Sequence, residues 1–147
     1  MAVRHFDHVT IVVRDVEAAK RFFGLLGFEL DRSVVITGDV FSAYMGVPGI
    51  EAEHATLALA GATPRIEVQL LGYREPAPRP NPAVEDLHTI GFNHLCFAVD
   101  DLDAEVRRLR AAGVETRTDV LDFRGHKLVF LRGPEGITVE LSELHGS

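Results

Sequence analysis

The sequence predicts an α+β protein made of two tandem βαβββ modules, whose curved mixed sheets are related by a pseudo-twofold and form a cup. One observation is an internal repeat. The segment FDHVTIVVRDVEAAKRFFGLLGF from Phe6 recurs as FNHLCFAVDDLDAEVRRLRAAGV from Phe92, so that His8 and His94, Val13 and Val99, Asp15 and Asp101, Ala18 and Ala104, Arg21 and Arg107, and Gly27 and Gly113 coincide. A second is a later match, RIEVQL ending at Leu70 with GITVEL ending at Leu141, which sets Gln69 opposite Glu140. A third is periodicity: in each copy an alternating apolar stretch is followed by one with helical spacing and then by three short strand candidates.

The first strand is expected over residues 4–13. Asp15 follows it and precedes an apolar pattern of helical period, the place of an N-cap whose side-chain oxygen accepts from an unpaired backbone N–H. Gly27 stands where that pattern stops, and glycine takes the left-handed C-terminal conformation without steric cost. Strands are expected over 28–37, 53–60 and 65–73, which completes module one at residues 1–73. Residues 74–90 carry Pro76, Pro78, Pro80 and Pro82 at alternate positions; proline lacks the N–H that a helix interior or central strand requires, so this stretch reads as an extended linker. Module two, residues 91–147, repeats the order with a strand over 91–99, a helix from Asp101 to Gly113, and strands over 114–118, 126–132 and 137–143. Together they make one domain. Module one is longer by about fifteen residues, assigned to the Gly- and Pro-containing stretch from Gly38 to Glu53, and an insertion of that size is expected to be a lid or wall of a pocket.

Composition narrows the function. At 147 residues, with 46% hydrophobic and 25% charged residues, the chain is an ordinary soluble domain without an apolar run of the roughly 18 to 20 residues that cross a bilayer. The N-terminal segment lacks the pattern of a secretory signal, so the expected location is the cytoplasm. The net charge of −7 is spread over both modules with no concentrated basic face, which argues against nucleic acid. The single Cys96 excludes an intrachain disulfide and a thiolate cluster, so any metal here must use nitrogen and oxygen ligands.

Strand alternation selects the residues that share a face. Val9, Ile11 and Val13, like Leu95, Phe97 and Val99, should meet the helix of their module, leaving His8, Thr10 and Val12 and their counterparts His94, Cys96 and Ala98 on the other face. In the late strands Ile66, Val68 and Leu70 match Ile137, Val139 and Leu141 on the helix side. Glu67, Gln69 and Tyr73, with Thr138, Glu140 and Ser142, lie opposite. The polar faces of two such sheets would bring His8, Gln69, His94 and Glu140 around one cup. Two imidazoles, an amide oxygen and a carboxylate suit one divalent ion, Zn, Ni, Co, Mn or Fe. Glu67 competes with Gln69 for the fourth place, because both occupy one face. Cys96 is expected to be a small pocket-lining residue. His5, His54, His88, His126 and His145 lack symmetry support; each is read as a surface or supporting group, with His54 and His126 at the pocket rim.

The stretches FDHVTIVVRD, FNHLCFAVDDLDA and LRGPEGITVEL resemble the vicinal oxygen chelate superfamily, above all its glyoxalase I-like and methylmalonyl-CoA epimerase-like members, over nearly the whole chain. The resemblance implies that His8, Gln69, His94 and Glu140 are the four metal ligands, and that the ion binds adjacent oxygens of a substrate and acts as a Lewis acid. Glyoxalase I enzymes usually carry glutamate where this chain has Gln69. An amide can bind a metal but cannot take a proton, so Glu140 is the candidate general base and Glu67 the unliganded alternative. A glutamine suits the epimerase type, although Thr56 alone stands where an epimerase base is expected.

Three functions follow as expectations. The first is a metal-dependent lyase or isomerase acting on a small carbonyl or thioester substrate by proton transfer. The second is a non-haem Fe(II) ring-cleaving dioxygenase using His8, His94 and Glu140. The third is a metal-free, drug-binding protein. The resemblance implies a homodimer and leaves open whether the site forms within one chain or across two. Residues Val40–Pro48, Leu57–Leu59, Leu71–Tyr73 and Leu121–Leu128 are expected to wall an apolar cavity shaped by Phe41, Tyr44, Met45 and Phe123.

Overall fold

In the computed structural model the described residues are 2–144; His145 lies outside them. The chain forms two compact units, Met1–Pro80 and Asn81–Ser147, with the boundary inside the proline-alternating stretch.

In the first unit, β1 (His8–Val12) leads into α1 (Val16–Leu25), followed by β2 (Phe28–Thr37), α2 (Asp39–Met45), β3 (Glu51–Leu59) and β4 (Glu67–Glu75). The sheet order is β1-β4-β3-β2, with β1 parallel to β4 and the other pairs antiparallel. The capping expectation holds in its chemistry: Asp15 Oδ1 accepts from the Ala18 N–H at 2.9 Å, and Gly27 just past the helix has φ 98°. α1 buries Ala19, Phe22 and Phe23; the Phe22 and Phe23 rings meet edge to face at a centroid distance of 5.2 Å, and Phe23 meets Phe28 edge to face at 5.8 Å. The sheet meets them with Ile11, Leu57, Val68 and Leu70, all buried.

Gly72 of β4 marks the closest approach of helix and sheet, because a Cβ there would collide with the Val16 side chain. A Gly72→Ala substitution forces that contact apart and is expected to destabilise the protein by about 1–3 kcal/mol. Denaturant titration would read this as a lower midpoint, and an unchanged midpoint would show that α1 shifts freely.

The second unit contains β5 (His94–Ala98), α3 (Leu102–Ala111), β6 (Leu121–Phe123), β7 (His126–Arg132), a 3₁₀ turn (Pro134–Gly136) and β8 (Thr138–Leu144). Its order, β5-β8-β7-β6 with β5 parallel to β8, repeats the first sheet. Asp101 caps α3 through Ala104 N–H at 3.0 Å, and Gly113 follows at φ 94°. Leu102, Val106 and Leu109 of α3 are buried, as are Val129, Leu131, Val139 and Leu141 in the sheet. A two-residue turn of Arg124 and Gly125, both at positive φ, closes the β6–β7 hairpin, as a primed turn requires.

One local expectation gains detail and another is corrected. The insertion in the first unit contains α2, a seven-residue helix between Gly38 and Gly46 that buries none of its side chains. Residues 114–118 are not a strand. Thr116 makes one isolated bridge to Leu131, flanked by the bonds Arg117 N to Phe130 O and Arg132 N to Glu115 O. The Thr118 hydroxyl then donates to the Asp119 carbonyl, a local bond of the kind that competes with a ladder, and pairing with β7 resumes only at β6.

Candidate metal centre

The strand registers bear directly on which residues are equivalent. In the first sheet His8 lies beside Glu67 and Thr10 beside Gln69; in the second His94 lies beside Thr138 and Cys96 beside Glu140. Gln69 and Glu140 therefore hold the same position relative to their histidines, while Glu67 corresponds to Thr138.

In the second unit the expected pair is in contact. His94 Nε2 lies 3.3 Å from Glu140 Oε1, with side chains 29% and 15% exposed. On the opposite edge of the ring, His94 Nδ1 is 2.7 Å from Asn93 Oδ1, and the Asn93 amide NH₂ donates to the Leu87 carbonyl at 2.8 Å. The Phe130 ring packs beside His94 at 5.2 Å. Asn93 must present its oxygen to His94, since its NH₂ is bound to a carbonyl. His94 Nδ1 is then the N–H, and Nε2 is the nitrogen turned to the Glu140 carboxylate. A ring nitrogen that faces a carboxylate in this way calls for a proton or a cation between the two atoms.

In the first unit His8 Nδ1 is 2.6 Å from Asp7 Oδ1, which repeats the arrangement with a charged partner. The ligand-capable atoms of Asp7, His8 and Glu67 lie within 4.8 Å of one another, so the structure brings Glu67 to His8. Both Glu67 oxygens receive donors: Gln69 Nε2 at 2.9 Å and Arg65 Nε at 2.6 Å. Those two bonds, Gln69's first, hold the Glu67 carboxyl below its ordinary pKa, which weakens it as a proton acceptor. The carboxylate can only accept, so Gln69 turns its NH₂ to Glu67 and its Oε1 to His54 Nε2, at 2.9 Å. His54, expected at a pocket rim, thus steadies Gln69.

Cys96 is exposed on the strand beside Glu140. Desolvation, then a hydrogen bond to and the negative charge of Glu140, push its thiol up to about 12, so it is protonated at neutral pH and a poor nucleophile. Thr138, which neighbours His94, is fully buried and accepts from Arg117 Nη1 at 2.7 Å. The apolar residues assigned to a pocket wall, Phe41, Tyr44 and Met45 on α2 and Phe123 on β6, are exposed on their units. A shallow depression lined by Glu29, Asp31 and Arg65 holds none of the four expected ligands, although Arg65 reaches Glu67 from it. Sequence reasoning passed over Asp7 and Asn93. Their signal was available, since each directly precedes a repeated histidine and each carries a side-chain oxygen.

The sequence profile of the glyoxalase/bleomycin resistance protein/dioxygenase superfamily matches residues 5–141. The chain belongs to this superfamily. It is 27% identical over 145 residues to the uncharacterized protein YaeR of Escherichia coli K12, covering 97% of this chain and 98% of that one. Its identity to glyoxalase I of Saccharomyces cerevisiae is also 27%, over 137 residues; the match spans 93% of this chain and 37% of the yeast enzyme. A crystal structure of a glyoxalase family protein from Bacillus cereus superimposes with a TM-score of 0.87 at 25% identity, covering 99% of both chains. Membership accounts for the paired sheets and their repeated register. No helix among the described residues is long and apolar enough to cross a membrane.

Proposed function

We propose that this superfamily member is a divalent-metal-dependent lyase or isomerase of the glyoxalase type, acting on a small carbonyl or thioester substrate by proton transfer. The observation that carries this reading is the His94 Nε2–Glu140 Oε1 approach at 3.3 Å with Nδ1 already committed to Asn93, an arrangement suited to a cation. His8, oriented in the same way by Asp7, supplies the second imidazole, and the Gln69 oxygen completes an intermediate-hardness donor set suited to Zn, Ni, Co, Mn or Fe. The ion would supply Lewis acidity at the substrate's oxygens. Glu140 acts as the base: its carboxylate takes the proton from the carbon next to the carbonyl and returns it to the former carbonyl carbon of a hemithioacetal, whose hydroxyl proton passes to the other oxygen, or to the same carbon of a thioester. Glu67, with both oxygens held by donors and its pKa lowered, serves instead to orient Gln69. The exposed apolar side chains of α2 and β6 are assigned to substrate contact, and the assembly to a homodimer.

A second reading, a non-haem Fe(II) dioxygenase, draws support from Gln69, whose amide is bonded at both ends within its unit and leaves His8, His94 and Glu140 as a two-histidine, one-carboxylate set. The two readings part in one experiment. The protein reconstituted separately with Zn, Ni, Co, Mn and Fe(II) is incubated in D₂O with hemithioacetals and 2-substituted acyl thioesters, and with catechols under oxygen. The lyase/isomerase reading expects deuterium at the carbon next to the carbonyl and no oxygen uptake. Oxygen consumption with Fe(II) and a catechol, without exchange, would replace it by the second.

A further inference from the structure

We propose that Asp7 and Asn93 are paired positioning residues that hold His8 and His94 in the Nδ1–H tautomer and so reserve each Nε2 lone pair for a ligand. The inference rests on the metal-site reading for its purpose, but the proton on each Nδ1 follows from hydrogen-bond geometry.

Each residue directly precedes its histidine at equivalent positions of the repeat, and each places a side-chain oxygen on the adjacent ring's Nδ1, at 2.6 Å for Asp7 and 2.7 Å for Asn93. The orientation is over-determined in the second unit. The Asn93 NH₂ donates to Leu87 O, so its amide cannot rotate to present a donor to His94 without losing that bond. In the first unit the partner is a carboxylate, which offers only acceptors. A histidine in water prefers the Nε2–H tautomer, so both partners act against the intrinsic preference. An imidazole whose outer nitrogen donates to a carboxylate or amide oxygen is held in orientation and made a better ligand, and loss of such a partner typically weakens metal binding about 10–100-fold.

The two partners differ in kind. Asp7 has a side chain 72% exposed and brings a negative charge to the His8 ring; Asn93 is neutral, half-buried and tied to the chain at Leu87. Asn93 therefore couples the placement of His94 to the segment that enters the second unit, whereas Asp7 is tied to β4, its carbonyl accepting from the Glu67 N–H at 3.3 Å.

Two-bond ¹H–¹⁵N correlation spectra of the metal-free, ¹⁵N-labelled full chain, taken at a pH where the rings are neutral, read the tautomers without reference to activity. The expected result is Nδ1–H for His8 and His94. Asp7→Ala and Asn93→Ala should each shift only the adjacent ring toward Nε2–H and lower zinc affinity about 10–100-fold in competition with a chromophoric chelator. Asp7→Asn and Asn93→Asp, which retain the oxygen, should restore Nδ1–H. Wild-type rings found as Nε2–H, or Nδ1–H rings unaffected by both alanine variants, would overturn the inference. Tautomers as expected in a protein that binds no divalent ion would leave the positioning role standing and sink the metal-site reading instead.

Discussion

Purified, untagged protein should contain near-stoichiometric Zn, Ni, Co, Mn or Fe, and the His8→Ala, His94→Ala double variant should contain none. Each imidazole is already oriented by the residue before it, which prepares both rings to bind an ion. Loss of a mere orienting partner costs about 10–100-fold in metal affinity, so removing both ligating rings should exceed about 100-fold. Both side chains are partly exposed, at 39% and 29%, and neither belongs to the buried apolar core, so their truncation opens no core cavity. Circular dichroism and the denaturation midpoint should stay near those of the parent, which separates metal loss from unfolding. Plasma mass spectrometry decides the matter. If neither protein holds metal even after reconstitution with divalent ions, the ligand quartet is wrong and the chain is better read as a metal-free binding protein.

Glu140→Gln should lower kcat for proton transfer by about 10²–10⁴, the usual contribution of a positioned general base, with most of the metal retained. The amide keeps an oxygen donor in place but cannot accept a proton. The chain itself supplies the precedent for this geometry, since Gln69 occupies the equivalent position of the first sheet, one strand across from Thr10 as Glu140 is from Cys96. The same substitution removes the carboxylate that helps raise the Cys96 thiol, so alkylation of Cys96 near pH 9 should quicken even as catalysis falls. Unchanged kcat would clear Glu140 of the base role and return attention to Glu67, despite the donors that hold both of its oxygens.

Features set by local chemistry were legible without coordinates. Asp15 and Asp101 cap their helices and Gly27 and Gly113 follow them at positive φ, because a cap depends on residues within one turn. The bounds of β2 and β7 coincide with those expected, since each carries β-forming residues between clear breakers. The repeat also aligned Gln69 with Glu140, and strand register agrees. α2 was not legible: its apolar residues face no core, so their spacing carried no burial pattern to recognise. The broken edge at residues 114–118 escaped for a related reason. An edge strand pairs on one side only, and a single side-chain bond at Thr118 is enough to interrupt it.

By itself, then, the sequence determined the duplication, the helix ends, the sheet faces and the superfamily, all of which depend on short-range periodicity or on residues repeated in order. The tertiary structure alone decided which atoms meet: Glu67 drawn to His8 and Gln69, His54 to the Gln69 oxygen, and His94 to Glu140, with Asp7 and Asn93 turning the rings. Alternation along a strand assigns a side chain to a face but not to a partner. Partners follow from the stagger between strands and from the count of donors and acceptors at each atom, and these exist only once the sheets have formed.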